Sequence, residues 1–179
     1  MNNTGKSCRD ECDEKCCSGT DACTGFTGKI CKDGSCNLVE ACYYAAIPLV
    51  VNSCKGEYSC FYADRVRSMV NSCNGYGACS YVGYNSSVSA TRFILDSCNG
   101  YYACGSAAYN GSIGNITSSC NATYACLYAG SPPPNGTGPI HTNLTNCCNS
   151  ESACKSKKES TLPAQCFPVT PVRSVYDVL

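Results

Sequence analysis

The chain has no tryptophan, four phenylalanines and a single histidine, His141, in 179 residues. So few large apolar side chains cannot fill a deep core, and one histidine excludes the usual His-based metal and acid–base constellations. Charge is scarce as well: 13 basic against 13 acidic residues leaves a net charge of zero, and charged residues make up 15% of the chain. No Lys/Arg stripe recurs, so nucleic acid is not expected as a partner. The longest apolar run, "AAIPLVV" at 45–51, is too short for a membrane span and is broken by Pro48. "MNNTGKSCRDEC" has no apolar stretch of the secretory kind, which suggests a mature or incomplete N-terminus.

What is present is cysteine. Twenty in 179 residues is the density of a disulfide scaffold, which needs an oxidising compartment. Metal binding is the rival reading, but no C-x-x-C pair occurs, and no metal or other cofactor is expected. Asn-x-Ser/Thr acceptors point to the same compartment. They occur at Asn2, Asn85, Asn110, Asn115, Asn121, Asn135 and Asn143, where chance would give about three. The expected location is extracellular or the cell surface, with covalent N-linked glycans.

The cysteines follow a repeat. "NSCKGEYSC", "NSCNGYGAC", "DSCNGYYAC" and "SSCNATYAC" share one skeleton, and seven C-x5-C pairs can be aligned. They are Cys17/Cys23, Cys36/Cys42, Cys54/Cys60, Cys73/Cys79, Cys98/Cys104, Cys120/Cys126 and Cys148/Cys154. Successive first cysteines are 19, 18, 19, 25, 22 and 28 residues apart, the size of one solenoid coil. Four residues before the first cysteine stands an apolar column of Val50, Met69, Ile94, Ile116 and Leu144. Two before it stands a polar one of Asn52, Asn71, Asp96, Ser118 and Asn146. Alternation of this kind predicts a strand, the Asn-Gly pairs 74–75 and 99–100 predict a left-handed corner, and the small residues around the second cysteine predict a second strand.

These features predict an all-β fold: a right-handed parallel β-helix of about six to seven coils. An EGF-like string is the runner-up, but its modules need six irregularly spaced cysteines. The constant gap within each pair favours a disulfide closing the corner of its own coil, although neighbouring strands also lie within bridging distance. The expected organisation is a disulfide-rich N-terminal cap and first coil over 1–35, β-helix repeats over 36–154, and an extended Pro-containing arm over 155–179. Cys8, Cys12, Cys16 and Cys31 are assigned to tying the cap, Cys147 and Cys166 to tying the tail, with essentially no free thiol. The acidic run Asp10, Glu11, Asp13 and Glu14 is read as a solvated cluster rather than a calcium site.

Tyrosine recurs in register with the second cysteine: Tyr58, Tyr102 and Tyr124 two before it, and Tyr44, Tyr62, Tyr81 and Tyr128 two after. On a strand these would share the cysteine's face and stack as a ladder, either as a contact strip or as packing supports. Charges such as Asp64, Arg65, Arg67 and Arg92 are scattered, and no catalytic set can be assembled, so an enzyme is not expected. The run "CCSGTDACTGFTGKICKDGSCNLVEAC", followed by "SCNGYYAC"-type coils, resembles the cysteine-rich right-handed β-helix repeat proteins of diatoms and related algae over about residues 16–154. It departs from them at Leu38 and Val39. The resemblance implies a secreted or cell-surface protein.

The function expected is that of a glycosylated structural protein, a subunit of a surface fibre or appendage, self-associating through bare solenoid faces and the C-terminal arm. A carbohydrate-binding or adhesive module using the tyrosine ladder is the alternative.

Overall fold

The computed structural model describes residues 11–84, 91–109, 114–130 and 143–156. Within them the fold is all-β, without a helix, and no helix is long and apolar enough to cross a membrane. Seven short strands form one parallel sheet in chain order: β1 (Glu11–Cys12), β2 (Ile30–Lys32), β3 (Leu49–Val51), β4 (Val66–Val70), β5 (Thr91–Leu95), β6 (Ile116–Thr117) and β7 (Leu144–Thr145). Each strand pairs only with its sequence neighbours, so the chain rises by one rung per coil and forms a β-solenoid.

The apolar column sets the register. Cys31, Val50, Met69, Ile94, Ile116 and Leu144 lie directly opposite one another along the sheet. All six are buried, and their side chains fill the narrow interior. At the other wall of that interior, each of the seven C-x5-C pairs is a disulfide within one coil, with Cα–Cα distances of 5.4 to 5.8 Å. The cystines stack: the sulfurs of Cys98, Cys104 and Cys120 lie within 4.8 Å of one another. Met69 Sδ lies against the Cys54–Cys60 cystine, 3.6 Å from Cys54 Sγ and 3.4 Å from Cys60 Sγ, a contact suited to a polarisable thioether.

The second strand expected after the corner is replaced by a ribbon of overlapping turns. In the third disulfide unit, Ser59 N–H donates to Gly56 O, Phe61 N–H to Tyr58 O, and Ala63 N–H to Cys60 O. The third residue of each turn, Tyr58, Cys60 and Tyr62, is left-handed, with φ of 55°, 56° and 51°, the pattern of consecutive type II turns. The N–H groups of these alternate residues are thereby freed to point along the solenoid axis. Tyr58 and Tyr62 donate to Val39 O and Tyr43 O in the preceding coil, whereas Cys60 and Asp64 donate to Ala78 O and Val82 O in the following one. Each inner coil is thus hydrogen-bonded to both neighbours, which satisfies its buried backbone without a second sheet.

Side chains with a Cβ resist the left-handed region, at roughly 1–2 kcal/mol per residue. The flanking cystine and the inter-coil hydrogen bonds hold them there.

The Asn-Gly corners also differ from expectation. Gly75 and Gly100 are not left-handed; the cysteines before them, Cys73 and Cys98, are, at 57° and 58°. Glycine is required instead because coils approach closely: a Cβ on Gly75 would lie 2.3 Å from Gly100 O.

Candidate functional site

Three ladders run along the solenoid. The first is buried. Ser35, Ser53, Ser72, Ser97 and Ser119, each just before a first cysteine, have no exposed surface. The backbone N–H of each later member donates to the Oγ of the one before: Ser53 to Ser35 at 3.0 Å, Ser72 to Ser53 at 3.0 Å, Ser97 to Ser72 at 3.2 Å, Ser119 to Ser97 at 3.1 Å, and Cys147 to Ser119 at 3.1 Å. The Ser53, Ser72, Ser97 and Ser119 hydroxyls then donate to the carbonyl two residues back, at 2.5 to 2.8 Å. A hydroxyl is the smallest group able to accept and donate at once, so serine suits a column of buried N–H groups.

The second ladder lies on the outside of the tight corner. Lys55 N–H donates to Asn74 Oδ1, Asn74 N–H to Asn99 Oδ1, Asn99 N–H to Asn121 Oδ1, and Asn121 N–H to Asn149 Oδ1, all at 3.1 to 3.2 Å. Their Nδ2 groups donate to carbonyls of the coil before, as Asn121 does to Asp96 O at 3.1 Å. Asn121 is also a glycan acceptor by sequence.

Of the other acceptors, Asn143 lies against Gly114, and its Oδ1 accepts from Asn115 N–H at 2.7 Å. Asn2, Asn85, Asn110 and Asn135 lie outside the described residues, as do Cys8 and Cys166.

The third ladder is aromatic and lines the turn ribbon. The tyrosines do not share the cysteine's face: Cys42 and Cys60 are fully buried, whereas Tyr44 is 52% exposed and Tyr62 half-buried. The turn ribbon abolishes the strict alternation of a strand, which is why period-two reasoning misplaced them. Tyr44, Tyr62 and Tyr81 stack face to face, with centroids 5.5 and 5.7 Å apart and planes within 8°. Tyr43–Phe61, Tyr76–Tyr101 and Tyr102–Tyr124 form further stacks. Glycines seat the rings that begin a stack: Gly25 lies against Tyr44 and Gly77 against Tyr102, where a Cβ would come within 2.6 Å of the ring. Gly77 also interrupts the column of Tyr58, which tilts against Tyr76 instead, and Tyr128 stands exposed beyond the break at Ser106.

Tyr81 and Tyr102 have raised pKa values, chiefly from burial and then from neighbouring tyrosines. Tyr58 is raised first by the charge of Glu40. Stacking of this kind leaves ring edges and hydroxyls outward and ring faces covered.

Cysteine clusters with metal-like spacing, such as Cys36, Cys42 and Cys54, consist of cystine sulfurs, which offer no thiolate to an ion. Cys12 and Cys147 are in disulfides. Cys16 and Cys31, assigned from the sequence to the disulfide-tied cap, are instead buried free thiols. The reason is their position. Cys31 occupies the inward apolar column beside Val50, and Cys16 occupies the serine column, its sulfur accepting from Ser35 N–H.

No curated protein and no solved structure matches the chain. Residues 1–96, more than half of the chain and spanning the first strands and the start of the aromatic stacks, match the model of a family described as a domain of unknown function. The chain belongs to that family, DUF7640.

Proposed function

We propose that the chain is an extracellular, N-glycosylated structural protein, a rod-like subunit of a surface fibre or appendage, with no catalytic role. The observation that carries this reading is the closure of each coil by its own cystine together with its attachment to the next by serine, asparagine and aromatic ladders. Such a unit gains rigidity along its axis without needing a ligand. The disulfide density and the excess of glycan acceptors support an oxidising, secretory location. The resemblance to algal β-helix repeat proteins agrees with it.

The second reading, a carbohydrate-binding strip, is favoured by the exposure of Tyr44, Tyr101 and Tyr128. Sugar rings dock on aromatic faces, however, and the Tyr44–Tyr62–Tyr81 faces already cover one another. This makes the structural reading the stronger one.

Electron microscopy of the native secreted material tests it: filaments or laterally packed rods are expected. Dispersed monomers that bind a glycan array, with binding lost in a Tyr44→Ala/Tyr62→Ala/Tyr81→Ala variant, would establish the second reading instead. Lys155 and Ser156, the first residues of the C-terminal arm expected to join subunits, are hydrogen-bonded into the last described coil, and residues 157–179 lie outside the described residues; removal of residues 167–179 should abolish assembly and leave the coils folded.

A further inference from the structure

We propose that Cys16 and Cys31 form a redox site whose oxidation to a disulfide clamps the first coil to the second. The two thiols are hydrogen-bonded to one another and buried, at 2% and 0% exposure, Cys16 in the turn that follows β1 and Cys31 within β2. Cys31 S–H also reaches Ser35 O at 3.6 Å. Each of the seven C-x5-C disulfides lies within a single coil. A Cys16–Cys31 bond would instead cross from one coil to the next. It would tie the first described coil covalently to the second and limit separation of the two.

The chemistry is thiol–disulfide exchange with an external disulfide as oxidant. The Cys16 thiolate attacks one sulfur of the oxidant, forming a mixed disulfide and expelling one thiolate. Cys31, after loss of its proton, attacks the Cys16 sulfur and expels the second. Two protein thiols and one small disulfide become one protein disulfide and two small thiols. The reverse order, with Cys31 attacking first, balances equally, because the hydrogen bond and burial that lower Cys16 and raise Cys31 exist only once the coils have stacked. Because both sulfurs are shielded once the coils have stacked, the exchange belongs to folding, before the core closes.

The test is to refold the reduced full chain in oxidised glutathione, denature and alkylate it, and digest it with trypsin without reduction. Cleavage after Lys15, Lys29 and Lys32 places Cys31 on peptide 30–32 and Cys16 on peptide 16–29 with the Cys17–Cys23 bridge. The expected result is peptide 30–32 joined to peptide 16–29, with no alkylated thiol on either. Two alkylated thiols, or peptide 30–32 joined to any other fragment, would overturn the proposal. Cys16→Ser provides the check on partner identity, since serine is the residue of that column and preserves the ladder. It should release peptide 30–32 carrying one alkylated thiol; a variant in which peptide 30–32 stays bridged would overturn the proposal equally.

Discussion

The backbone N–H of Ser72 donates to the hydroxyl of Ser53 at 3.0 Å, one coil below, although neither residue has any surface exposed to water. The same relationship, repeated from Ser35 to Cys147, turns a column of buried backbone donors into a continuous chain of satisfied ones. An unpaired buried donor costs about 1–3 kcal/mol, so the ladder specifies coil-to-coil register as well as stability.

Removing one hydroxyl should therefore be felt in the coil above it. Ser72→Ala leaves Ser97 N–H without its acceptor, and destabilisation of about 1–3 kcal/mol is expected in urea unfolding with the disulfides intact. Ser18→Ala removes only an exposed hydroxyl that donates to Asn37 O at 3.5 Å and should stay within about 0.5 kcal/mol of the parent. Equal effects at the two sites would contradict the ladder.

Close stacking makes a second contrast. Gly75→Ala places a methyl group 2.3 Å from Gly100 O and should cost more than about 2 kcal/mol, since backbone cannot give way as a side chain can. A Cβ on Gly34 would make only ordinary contacts, with Asn37 and Lys15 side-chain atoms at 3.7 Å, but the residue has a φ of 65°. Gly34→Ala should lose only the left-handed penalty, about 1–2 kcal/mol. Thermal unfolding of the two variants in parallel should rank Gly75→Ala as the less stable, and the reverse order would rule out inter-coil contact as the reason for glycine there.

The aromatic ladder predicts a pH dependence. Tyr43, Tyr58, Tyr81 and Tyr102 all have folded pKa values raised above the ordinary tyrosine value of about 10. Above that value the unfolded chain loses these protons first, so the folded state binds more of them. Stability from these groups is complete below the unfolded pKa and is lost as pH rises through the folded ones. Ultraviolet titration of the folded protein should show tyrosines ionising above the midpoint of the denatured chain, with stability declining over the same alkaline range. Coincident titration curves would mean that the stacks are absent in solution.

Much of this was legible in the repeat. The apolar column from Val50 to Leu144 marked the strands and their register, because a buried parallel strand needs the same side of every coil to be apolar. The serine before each first cysteine was visible in every "SC" from Ser35 to Ser119, yet serine reads as a turn former until its neighbours above and below are known. Two departures have local causes. Left-handed Tyr58, Cys60 and Tyr62 defeat propensity, because inter-coil hydrogen bonds and a cystine outweigh the steric preference of each residue. The column of Cys31 was hidden by one extra residue: five positions separate Cys31 from Cys36, against four between Val50 and Cys54.

The central claim is that each coil is closed by its own cystine and that the closed coils then stack. The sulfurs of Cys98, Cys104 and Cys120 lie within 4.8 Å of one another, so proximity alone permits a bridge within a coil or between coils. Peptide mapping of the native protein by mass spectrometry under non-reducing conditions separates the two directly. The account predicts peptides linking Cys98 to Cys104 and Cys120 to Cys126; a peptide linking Cys98 to Cys120 would contradict it.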